Sequence, residues 1–112
     1  MEITTERKGE VLVALTEDRV DGSNAREFQE AVQAAIAGED APVVLDMERL
    51  VYISSAGLRV ILMIARALQG ESRNFAVCSL VGPVREVFEI SGFDKIIQTH
   101  DTQEKAVAAV QG

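Results

Sequence analysis

The chain has little of several things that would reveal a function at once. It has one cysteine, one histidine and no tryptophan, and aromatic residues make up only 4% of it. With Cys78 alone, no intrachain disulfide framework or cysteine metal site can form. With His100 alone, no histidine-based metal or catalytic cluster can form. Positive charge is also scarce. Lys and Arg number 11 against 18 Asp and Glu, a formal net charge of −7. Nucleic-acid binders carry a basic face, so this balance argues against that class. It equally disfavours docking on an anionic membrane surface. No apolar run reaches the ~18 residues that a membrane span needs. The first residues carry no secretory leader pattern. The expectation is a cytoplasmic protein with no nucleic-acid partner and no direct membrane insertion.

What is present fits one domain over residues 1–112, a length that can enclose a single core. Hydrophobic residues make up 47% and charged residues 26%, ordinary for a globular chain. With so few aromatics, the core must be built from Val, Ile, Leu and Ala.

Residues Glu2–Arg7 alternate weakly and predict an edge strand. Lys8 and Gly9 turn the chain, and Val11–Leu15 reads as a better-buried strand that completes a hairpin. Glu17–Ser23 reads as a polar loop. Ser23 or Asn24 can then cap a helix, with Glu27 placed as in a capping box. In that helix Ala25, Phe28, Val32, Ala35 and Ile36 recur at helical spacing. After a break at Gly38–Pro42, Val43–Met47 is a nearly continuous apolar strand, suited to cover on both faces. A second helix spans Ala56 to Gln69 and ends at Gly70. Phe75–Ser79 predicts a strand, and Pro83 opens a third helix with Val84, Val87 and Phe88 facing inward. Ile96 and Ile97 predict a last short strand, and Asp101–Glu104 resembles the cap of a final helix carrying Ala106, Val107 and Val110. Strands alternating with helices after an opening hairpin imply a mixed sheet with helices packed on it.

Catalytic parts are hard to find. No glycine-rich loop cradles a phosphate. No nucleophile, base and oxyanion hole assemble from recognisable pieces, so a non-enzymatic protein without cofactor or metal is expected. The most informative stretch is Val51–Val60, where Ser54 and Ser55 sit between a buried strand and a buried helix. A helix start presents unpaired N–H groups and partial positive charge. Arg59 and Arg66 share one face of the helix with Met63 between them, and Ser55 heads that stripe. With Leu62 and Met63 as adaptable apolar surface, it makes a docking strip. Spacing alone leaves two readings open. The serines can be simple helix caps, each contributing about 1 kcal/mol, or one of them can be a phosphorylation switch.

The residues Val44–Met47 and Val51–Leu62 resemble the signature of STAS domains, specifically bacterial anti-sigma factor antagonists. The family pattern is an apolar stretch, then Asp-Ser-Ser/Thr-Gly-Leu-Gly, then an apolar helix. Leu15–Ala25, with Asp21 in its loop, resembles a second family segment, and Val84–Ile97 a third. The chain departs from the pattern at Ser54 (usually Asp), Ala56 (Ser/Thr), Arg59 (often Gly) and Asp18 (about where a loop Gly is usual).

The resemblance implies an α/β fold: a STAS-like mixed sheet of about five strands, opening with a hairpin, packed with about four helices. It implies an anti-sigma factor antagonist whose unphosphorylated form binds an anti-sigma factor that is also a serine kinase, releasing a sigma factor. Phosphorylation ends the complex and a PP2C-type phosphatase resets it. Motif register places the phosphoacceptor at Ser55, with Ser54 second. The partner-binding residues implied are Asp21, Ser23, Asn24, Ser54, Ala56, Gly57, Arg59, Leu62 and Met63, on a monomer or weak dimer. The competing reading is a non-switching STAS subunit of a stress-sensing or lipid-transport complex, for which the same helix is a permanent docking surface.

Overall fold

In the computed structural model, which describes residues 3–111, the chain alternates strands and helices after an opening hairpin. Strand β1 (Thr4–Lys8) runs antiparallel to β2 (Val11–Val20). Gly9, at φ +65°, makes the turn between them. Helix α1 (Ala25–Ile36) leads to β3 (Val43–Ile53), α2 (Ser55–Gly70) and β4 (Phe75–Cys78). Then come α3 (Gly82–Ser91), a 3-10 turn at Phe93–Lys95, β5 (Thr99–His100) and α4 (Gln103–Gln111). The five strands lie in sequence order, β1-β2-β3-β4-β5, and every pairing after the first is parallel.

The sheet separates two cores. On one face, Leu12, Ala14, Leu45 and Val77 pack with Phe28 and Val32 of α1, Ile61, Ile64 and Leu68 of α2, and Val84 and Phe88 of α3. On the other, Val11, Val13, Val44, Ala76 and Cys78 meet Ala106 and Val110 of α4. β3 is buried continuously from Val43 to Met47, as a strand covered on both faces should be. Burial pushes the Cys78 thiol up to about 11, so it is an unreactive packing residue.

Four expectations need correction. β2 continues through the polar residues Glu17, Asp18 and Arg19 rather than ending in a loop, and β3 continues to Ile53 rather than stopping at Met47. These extensions pair with each other, Glu17 with Arg49 and Val20 with Ile53, through two irregularities in register. Their exposed polar side chains hide the strand from a hydrophobicity pattern. The final strand is Thr99–His100, not Ile96–Ile97. Gly92, at φ +79°, turns the chain into the 3-10 turn, and the Ile96 and Ile97 amides both bond the Phe93 carbonyl. Ile96 is left 66% exposed while Ile97 is buried, so the apolar pair is an anchor and a surface residue of one turn. Finally, Asn24 occupies the N-cap position of α1, but its side chain makes no cap hydrogen bond. Glu2, at the start of the expected edge strand, lies outside the described residues.

Candidate functional site

The carboxyl ends of β2 and β3 deliver two helix starts side by side. Val20 and Ile53 are register partners, and the Ser54 amide donates to the Val20 carbonyl at 2.9 Å. The loop Asp21–Asn24 before α1 therefore adjoins the Ser54–Ser55 junction before α2. Such a place, beyond the carboxyl ends of parallel strands, is where open α/β sheets put their binding sites.

The two serines have different fates. Ser54 is half-buried and extended, and its Oγ accepts from the Gly57 amide at 3.3 Å. It is the N-cap of α2. Ser55 is the first residue of the helix and is exposed. No acidic residue lies in the first turn of α2, so its positive end faces no carboxylate of its own helix. Arg59, Met63 and Arg66 follow at the surface, Met63 being 44% exposed, with Leu62 half-buried beside them. The stripe headed by Ser55 is thus at the surface along its length.

Gly57 has a different part. It is buried, and a Cβ built on it would stand 2.6 Å from Ile53 Cγ1 and 2.9 Å from Val20 Cγ1. Only a bare backbone lets α2 start this close to the two strand ends. Gly57 sets where the serines stand without presenting a side chain, and Ala56 is half-buried against the main core.

The adjoining loop is held by its own polar groups. Asp21 Oδ1 accepts from the Ser23 amide at 2.9 Å and the Ser23 hydroxyl at 2.6 Å. Asn24 Oδ1 accepts from the Asp21 amide at 2.8 Å, and its Nδ2 donates to the Arg19 carbonyl at 2.9 Å. Asn24 therefore ties the loop to β2 instead of capping α1. The Ser23 hydrogen bonds, then the nearby Arg19 guanidinium, hold the Asp21 carboxyl below its ordinary value. Arg19 Nε reaches Asp21 Oδ2 at 3.0 Å while its guanidinium lies 5.2 Å from the Tyr52 ring centroid.

Arg19 and Tyr52 escaped the sequence reading because each sits in what reads as loop or strand filler. Asp18 carried a signal. It adopts φ +66°, the left-handed region that favours glycine, at the place where the family pattern usually has a loop glycine. That glycine marks a bend in β2, not a loop. Among the described residues, no three His, Cys, Asp or Glu side chains group to hold a metal ion. No described helix is long and apolar enough to cross a membrane.

The model of the STAS domain family matches residues 2–106. The chain belongs to the STAS family. It is 39% identical over 109 residues to BtrV of Bordetella bronchiseptica, which is named as an anti-sigma factor antagonist. That match covers 97% of this chain and 94% of BtrV. Among solved structures, a Thermotoga maritima protein described as an anti-sigma factor antagonist superposes with a TM-score of 0.88 at 21% identity, covering 98% of this chain and 95% of that one. The anti-sigma factor antagonist SpoIIAA in its unphosphorylated form gives 0.78 at 21% identity, covering 98% and 96%. Its phosphorylated form, from Bacillus, gives 0.68 at 22%, covering 96% and 98%. At these identities the structures establish the STAS fold: a mixed five-stranded sheet carrying four helices.

Proposed function

We propose that the chain is a single-domain, cytoplasmic anti-sigma factor antagonist that works by partner switching. Unphosphorylated, it binds an anti-sigma factor that is also a serine kinase, and the sigma factor is released. The kinase transfers the ATP γ-phosphoryl group to Ser55, the complex dissociates, and a PP2C-type phosphatase restores the binding form. The similarity to BtrV and the existence of SpoIIAA in phosphorylated and unphosphorylated forms support this reading. The observation that carries the site is the division of labour between the serines. Ser54 spends its hydroxyl on the α2 cap, while Ser55 stands exposed at the first position of the same helix.

The physics of the switch follows. A phosphate brings about −1.5 to −2 charges at neutral pH. The N-terminus of α2 stabilises that charge without refolding the domain. A partner surface shaped for a neutral hydroxyl must instead bury an unpaired dianion, which costs several kcal/mol. Arg59, Leu62 and Met63 continue the docking strip from Ser55, and Asp21, Ser23 and Asn24 flank it. The acid-rich chain suits a basic partner face.

The test is capture from a lysate of the host on Ser55→Ala and Ser55→Asp baits. A small ATP-binding kinase held by the alanine bait and lost from the aspartate bait is the expected result. Equal recovery of scaffold or transporter subunits on both baits would replace this reading with a non-switching STAS subunit.

A further inference from the structure

Helix α2 is the exception in an acidic chain. Acids outnumber bases 18 to 11 overall, yet Arg59 and Arg66 are the only charged residues between Ser55 and Gly70. Arg59 also stands where the STAS pattern often has glycine, so the family pattern does not account for it. It is exposed, and among the described residues its side chain has no ion pair and no hydrogen bond. An arginine without a partner, on a helix without an acid, is free to meet an anion that arrives later.

Helical geometry decides which anion it can reach. Residues four apart stand on one face, with Cβ atoms about 5–6 Å apart. Side chains lean toward the helix N-terminus, so Arg59 covers the surface over Ser55 rather than its own turn. Leu58, the other residue that helical spacing brings to Ser55, is buried. Arg59 is therefore the only charged residue of α2 within one turn of Ser55. The charges at the adjoining start of α1 are engaged or balanced. Arg19 is bound to Asp21, Asp21 accepts from Ser23, and α1 opens with Arg26 and Glu27, one charge of each sign.

We infer that Arg59 is the counter-ion of the phosphate on Ser55. The inference rests on the proposed phosphorylation of that serine. The planar guanidinium donates two parallel hydrogen bonds to phosphate oxygens, a fit that the point charge of lysine does not reproduce. Two consequences follow from the pair. It favours the phosphate dianion over the monoanion, so the switch carries its full charge at neutral pH. It also turns Arg59 back along its own helix, away from the partner that the docking strip faces. Phosphorylation thus adds an anion to the strip and withdraws a cation from it. Arg66 lies about three turns beyond Ser55, roughly 16 Å along the axis, and stays in the strip.

The test is a phosphorus NMR pH titration of the full chain prepared with phosphoserine built in at position 55, which needs no kinase. The second phosphate pKa, about 6 when unperturbed, should lie below that value in the otherwise unchanged chain. Arg59→Gln should raise it by about half a pH unit, and Arg59→Lys should recover part of the change. The difference should shrink in about 1 M salt, as an exposed ion pair requires. Arg26→Gln is the control on the neighbouring helix start and should move the pKa less. A pKa unchanged by Arg59→Gln, or moved more by Arg26→Gln, would overturn the pair and leave the switch at Ser55 intact. Absence of phosphate on Ser55 in host cells would remove the switch, and this inference with it, whatever the titration reads.

Discussion

The starts of α1 and α2 sit side by side and are built from similar residues, yet they are wired differently. At α1, Ser23, Asn24 and Asp21 hydrogen-bond one another and the strand behind them, so each of these side chains is engaged within the loop. At α2, Ser54 alone serves the helix and Ser55 is left exposed beside it. The first start also carries acid, Asp21 in the loop and Glu27 in the first turn, while the first turn of α2 has none. A phosphate at α1 would meet like charge, and at α2 it meets the bare positive end of a helix. A helix start becomes a candidate switch when one hydroxyl caps it and a second is left over.

The comparison can be broken most severely at Ser55. Ser55→Asp should lower affinity for the anti-sigma partner on the order of a hundredfold, about 3 kcal/mol, while Ser55→Ala should bind like the unphosphorylated protein. Calorimetric titration of both variants checks this. If the two bind alike, the surface is a fixed docking face.

Gly57→Ala comes next. The new Cβ has to displace Ile53 or Val20, an overpacking that should destabilise the fold by about 1–3 kcal/mol. Urea unfolding measures it. Gly22, around which nothing lies within 4 Å of a built Cβ, is the control in the other loop and should tolerate alanine with far less change.

Ser54→Ala should cost about 1 kcal/mol through the lost cap. Ser54→Asp should cost less than about 0.5 kcal/mol, since aspartate caps as well as serine and is the residue the STAS pattern usually has there. Neither change removes the Ser55 hydroxyl.

The smallest effect lies in the α1 loop. The Asp21 carboxyl titrates below its ordinary value, so its contribution is present above that ordinary value and is lost as pH falls through the lower folded value. Ser23→Ala removes the largest cause and should move the Asp21 pKa upward, read from its carboxyl carbon in an NMR pH titration.

Much of this organisation was legible before any coordinates. Phe28, Val32 and Ile36 announce α1 by spacing, Pro83 marks the start of α3, and the apolar block Val43–Met47 announces the central strand. What hid was held by main-chain partners that residue type and spacing do not show. Glu17, Asp18 and Arg19 look like loop because their strand is held by main-chain pairing to β3 and leaves these side chains exposed. Asn24 looks like a cap because its type fits, but the Arg19 carbonyl and the Asp21 amide compete for its side chain and win. The Ser54–Ser55 junction was visible as a place, and the resemblance picked Ser55 by register. Only the hydrogen bond from the Gly57 amide separates the two serines by chemistry.

The central claim is that Ser55, and not Ser54, receives the phosphate. The most direct measurement is mass-spectrometric mapping of phosphate on the wild-type chain, Ser54→Ala and Ser55→Ala, each recovered from its own host cells. The expected result is phosphate on Ser55 in the wild type, its persistence in Ser54→Ala and its loss in Ser55→Ala. Phosphate found on Ser54, or retained in Ser55→Ala, would contradict it.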